Sequence, residues 1–131
     1  MYSNIKNSSF ADKQTIEIMQ MMIQIALLIV VTTFLIMFQK SNTIVFIGMF
    51  LMLVFIYYYL RVNLFFLILV GFGGSFTEAI VICLTDFLWK YRSPSFCNIP
   101  CWLPLLWAIV GTGVLGLYKL SLLISGEVSK I

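Results

Sequence analysis

SNTIVFIGMFLMLVFIYYYLRVNLFFLILVGFGGSFTEAIVICLT, residues 41–85, holds 45 residues and only two charges, Arg61 and Glu78. As one helix it would run ~67 Å at ~1.5 Å per residue, about twice the ~30 Å hydrocarbon core of a bilayer. A break near Arg61 is therefore required. It leaves two apolar runs, Ser41 to Leu60 and Val62 to Thr85, each long enough to cross lipid as a helix with every backbone amide satisfied internally. The connection is no longer than Arg61, Val62 and Asn63, so the two spans are expected to form a tight antiparallel hairpin.

Moving outward, Ile18 to Gln39 and Ser93 to Tyr118 are further uncharged runs of spanning length. The expected fold is all-α: one transmembrane domain over residues 1–131, with four helices at about 18–39, 42–60, 63–88 and 102–124. A polar arm, residues 1–15, precedes the first span as a frayed segment or an interfacial helix capped by Asp12, and an aromatic, proline-containing loop occupies residues 89–101. The first span is expected to be retained, because Phe38 to Asn42 offers no small-x-small cleavage site. Composition agrees: 62% of residues are apolar and 10% charged, against about 25% charged in a soluble domain, which excludes a water-soluble globule. A net charge of +3 is too slight to argue for nucleic acid. Lys6, Lys13, Arg61, Lys119 and Lys130 fall on one side against Lys40, Lys90 and Arg92 on the other, which favours both termini on the cytoplasmic or equivalent side.

Glu78 is the costly residue, a carboxyl group read as lying near midplane depth, where insertion costs on the order of 3 kcal/mol. Helical phase sets Gly71, Gly74, Ser75 and Thr85 on its face, a small and polar stripe suited to close helix packing in lipid. The fourth span offers Gly111, Thr112, Gly113 and Gly116 as a matching surface. A loop treated as symmetric sets Thr112 level with Glu78 and makes its hydroxyl the expected hydrogen-bond partner, in preference to Lys119 two turns away. The run Gly71-Phe72-Gly73-Gly74-Ser75 is no phosphate-binding loop, since it lacks a preceding strand, the full glycine spacing and a Lys-Ser/Thr pair.

In the connection between the last two spans, Trp89, Tyr91 and Trp102 are expected at the headgroup layer, and Pro104 in the first turn of the final helix. With Pro94, Phe96 and Pro100 they make a stiff aromatic surface suited to a protein partner. Asp86 and Lys90 have the spacing of an exposed i, i+4 pair, worth ~0.3 kcal/mol. Cys97 and Cys101 allow a disulfide if the loop faces an oxidising side. The chain has no His, so no metal site and no cofactor motif assembles.

Glu78, Trp89-x-Tyr91-x-x-Pro94, Ile99-Pro100-x-Trp102 and Trp107 together resemble a pattern in uncharacterised small membrane proteins of large DNA viruses and some bacteria. The resemblance covers about the last third of the chain and implies membrane residence, including a virion inner membrane beneath a capsid. The expected function is that of a non-enzymatic structural or assembly protein in contact with lipid and other protein subunits. No nucleophile and base come together to favour an enzyme. The alternative is an oligomeric small-molecule or proton transporter, or a lipid-binding protein, that uses Glu78; four spans rarely enclose a path without oligomerising.

Overall fold

Four α-helices run through the chain in order: α1 Tyr2–Phe38, α2 Asn42–Tyr59, α3 Leu64–Leu84 and α4 Leu103–Ser125. The computed structural model describes residues 2–38, 40–85 and 89–126, and the side chains among them except those of 2–11 and 38. All four helices are long and apolar enough to cross a membrane, α1 over Asp12–Met37 and the others over their full lengths. They are compatible with a multi-pass membrane protein. The outward face of α3, for one, carries Phe65, Phe72, Phe76 and Leu84, large apolar side chains that suit lipid and not water.

The ends of the helices follow local chemistry. No Gly or Pro interrupts Tyr2 to Phe38, and α1 is one continuous helix, so the residues read as a frayed or separate arm continue directly into the first span. Between α2 and α3 the turn is complete in itself. The Leu60 amide donates to the Ile56 carbonyl at 3.1 Å, Arg61 takes a left-handed backbone with φ of 51°, and Asn63 caps α3. The Asn63 side-chain oxygen accepts from the amides of Phe65 at 2.8 Å and Phe66 at 3.3 Å. α3 stops at Leu84, short of the expected residue 88, and the amide of Thr85 closes the last turn onto Val81. Residues 86–88 lie outside the described residues, and with them the Asp86 half of the expected pair with Lys90. Pro104 is the second residue of α4, where a missing amide costs no intrahelical bond.

The contacts divide the chain into two compact units, Met1–Ile29 with Gly113–Ile131, and Val30–Thr112. In the first, Gln14 Nε2 of α1 donates to the Leu123 carbonyl of α4 at 2.6 Å, and a Cβ on Gly116 would lie 3.2 Å from Ile25 Cγ1. In the second, Met49, Ile56, Ile82 and Leu103 are fully buried. A Cβ on Gly71 would lie 2.6 Å from the Pro104 carbonyl oxygen, so α3 and α4 meet here backbone to backbone. In lipid such close packing, not removal of surface from water, holds helices together. Among the described residues of this unit, the Thr32 hydroxyl goes against the rule that buried polar atoms are bonded: Thr32 is 8% exposed and its hydroxyl has no hydrogen-bond partner there.

Candidate functional site

The polar centre of the second unit forms where α3, the start of α4 and the connecting loop converge. Glu78 lies on the stripe face of α3 and is half-buried. Trp107 Nε1 donates to its Oε2 at 2.9 Å, and the Tyr91 hydroxyl donates to its Oε1. Both carboxyl oxygens are thus occupied by donors from the chain itself. Gly74, one turn before Glu78, makes the first contact possible. A Cβ there would lie 2.4 to 2.7 Å from three indole atoms of Trp107, so the ring lies directly over the glycine.

The cluster continues through the loop. Tyr91 packs edge to face on Trp102, with ring centroids 5.9 Å apart. Trp102 Nε1 donates to Asn42 Oδ1 at 3.1 Å, and Asn42 Nδ2 donates to the Ser93 carbonyl at 2.7 Å. Asn42 opens α2, so a single amide ties that helix to two points of the loop. Burial pushes the Tyr91 phenol well above the ordinary tyrosine range, and the hydrogen bond to Glu78 and its charge push the same way.

Beyond this cluster the loop folds into a two-residue hairpin. Cys97 and Asn98 both have left-handed backbones, with φ of 47° and 63°, and Phe96 and Ile99 exchange amide bonds at 3.1 and 2.9 Å. Consecutive left-handed residues are the signature of a type I′ turn. Asn98 Nδ2 approaches Cys83 Sγ at 3.9 Å, and the Cys101 amide donates to Ser95 Oγ at 3.3 Å. Cys83, Cys97 and Cys101 are exposed free thiols.

Two sequence-based expectations are corrected here. Thr112 does not meet Glu78: it is buried, and its hydroxyl donates to the Ala108 carbonyl of its own helix at 3.0 Å. α4 sits in a different register, since Gly71 meets Pro104 and Ala108, Gly74 meets Trp107, and Gly111 meets Val70. Thr112 is therefore about two turns from the level of Glu78. Glu78 itself lies six residues before the end of α3, nearer the loop than the helix middle. The second correction concerns the loop aromatics. Trp102 is 9% exposed and Pro100 fully buried, while Tyr91 is half-buried on Glu78, so these three build the interior. Phe96, 78% exposed, and Trp89, 41% exposed, face outward with Pro94.

The remaining stripe residues serve the helices. Ser75 is buried and its hydroxyl donates to the Gly71 carbonyl at 2.9 Å; the Thr85 hydroxyl donates to the Val81 carbonyl at 2.7 Å. Gly116 meets Ile25 of α1, and Gly113 has open space beside it. Sequence reasoning missed Asn42 and underrated Trp107. The signal was available: a carboxyl group inside an apolar helix needs donors, and the loop and the start of α4 supply two in Tyr91 and Trp107. Among the described residues no group of three His, Cys, Asp or Glu side chains gathers to hold a metal. No family model, curated protein or solved structure matches the chain. Chemically, the site is a hydrogen-bonded clasp that fixes a loop to three helices.

Proposed function

We propose that this chain is a non-catalytic, multi-pass membrane component of a larger protein assembly. Its termini are on the cytoplasmic-equivalent side, and it contacts other subunits through the outward residues of the α3–α4 loop. One observation carries the reading: both oxygens of Glu78 are taken up by Trp107 and Tyr91. A carboxyl group bonded by a structural donor at each oxygen is better suited to hold a recognition loop rigid than to relay protons or bind cargo. That rigidity lowers the entropic cost of docking, and Phe96, Trp89 and Pro94 supply contact area at the hairpin. On the resemblance in its last third, the setting is a virion inner membrane beneath a capsid.

Purification in mild detergent tests the proposal. A stoichiometric protein partner is expected with the natural chain and lost with Phe96→Asp, while the helical content of that variant is unchanged. If the chain instead isolates alone and drives proton-coupled flux into liposomes that Glu78→Gln abolishes, it is a transporter and the proposal fails.

A further inference from the structure

Within the Val30–Thr112 unit, α2, α3 and the first turns of α4 leave an apolar cleft of about 620 Å³ that runs from Cys101 toward the α2–α3 turn. Phe50, Val54, Leu67, Ile68 and Leu105 wall it, and Gly71 opens its floor. Toward the α2–α3 turn the walls formed by Tyr57, Tyr58 and Leu64 run on into a polar pocket completed by Arg61, Val62 and Asn63. An oily slot thus leads to a cationic mouth.

The mouth has a chemistry of its own. Of the four cations in this unit, Lys40, Lys90 and Arg92 flank the opposite helix ends, and Arg61 alone belongs to this turn. Arg61 is exposed and holds a left-handed backbone, φ 51°, which glycine adopts without strain and arginine does not. A strained cation at the opening of a cleft is an observation that asks for a ligand. Tyr58 and Tyr59, 70% and 75% exposed, place this turn at headgroup depth when the hairpin spans a bilayer.

We propose that the cleft holds an acyl chain of an anionic phospholipid whose phosphate is bound by Arg61. The apolar walls match the chain and the single cation matches the net negative headgroup; a zwitterionic lipid brings its own cation to the same place. A second copy fits less well. A two-fold axis along the membrane normal would bring both Arg61 side chains to one depth, like charge toward like. The site is separate from Glu78 and does not depend on the assembly reading.

Native mass spectrometry of the full chain, delipidated in detergent, tests this by titration with dioleoyl phosphatidylglycerol or dioleoyl phosphatidylcholine. The first phosphatidylglycerol should bind about fivefold more tightly than phosphatidylcholine, the effect of one basic side chain at a headgroup. Arg61→Gly should abolish that ratio with no loss of thermal stability, because the turn suits glycine, while Arg61→Lys retains it. Should the glycine variant not fold, Arg61→Gln serves in its place. Val54→Trp, from a cleft wall that is 38% exposed, should weaken both lipids by obstructing the slot. Equal binding of the two lipids by the natural chain overturns the proposal, as does a preference that survives Arg61→Gly. So does a preference lost in Arg92→Gln instead, or a dimer that Val54→Trp dissociates without any lipid bound.

Discussion

The two connections within the Val30–Thr112 unit solve the same problem in opposite ways. The α2–α3 turn closes itself: each of its bonds joins residues at most four apart, through the Leu60 amide, the left-handed Arg61 and the Asn63 cap. The α3–α4 loop depends on partners far away in the chain. Trp107 reaches Glu78 across 29 positions, Asn42 reaches Ser93 across 51, and Trp102 reaches Asn42 across 60. A local turn requires only its own few residues, so its variants should give small, separable effects. A loop held by a shared network should lose several contacts at once when one member is removed.

The sharpest way to break the contrast is Gly74→Ala. The new methyl group would collide with ring atoms of Trp107, which cannot be accommodated without moving the indole off Glu78. A loss of about 2–3 kcal/mol is expected in detergent unfolding, with a change in tryptophan emission. Glu78→Leu comes next. It leaves the Trp107 and Tyr91 donors unpaired, for a loss of about 2 kcal/mol, and Glu78→Gln, which keeps an acceptor, should lose less.

The same contact predicts a pH dependence. Because the folded phenol of Tyr91 titrates above its unfolded value, its contribution to stability is complete below about pH 10 and is lost as pH rises beyond that. Unfolding midpoints measured across that range should fall more steeply for the natural chain than for Tyr91→Phe. At the local turn the effects are smaller. Asn63→Ala should cost about 1 kcal/mol through loss of the α3 cap, without altering the loop's tryptophan signal. Arg61→Gly should stabilise by about 0.5 kcal/mol, read as a raised unfolding midpoint. If the two turn variants perturbed Trp107 as strongly as Gly74→Ala, the distinction between the connections would be lost.

This division also explains what was legible in the sequence. The four helices and the hairpin around Arg61 depend on run length and nearby residues, and both can be read by counting. The stripe face of α3 was legible too, since helical phase is a local property, and Gly71 and Gly74 do meet α4. The register of α4 was not. Treating the loop as symmetric sets Glu78 beside Thr112, whereas Tyr91 and Trp107 find their polar partner in Glu78 of α3 and Trp102 finds Asn42 of α2. That Tyr91 and Trp102 turn into the protein was not legible either, because it depends on the half-buried Glu78 carboxyl group and the Asn42 amide, which offer their polar edges well-placed bonds. The left-handed pair Cys97 and Asn98 lacked the glycine that normally announces such a turn.

The order of synthesis gives the Glu78 clasp a last consequence. Both donors lie downstream, Tyr91 by 13 residues and Trp107 by 29, so the acid of α3 emerges from the ribosome ahead of both. During that interval α3 carries its acid with neither donor at hand, and the arrival of the loop and α4 supplies both. The last helix thus completes the polar pairing of the one before it.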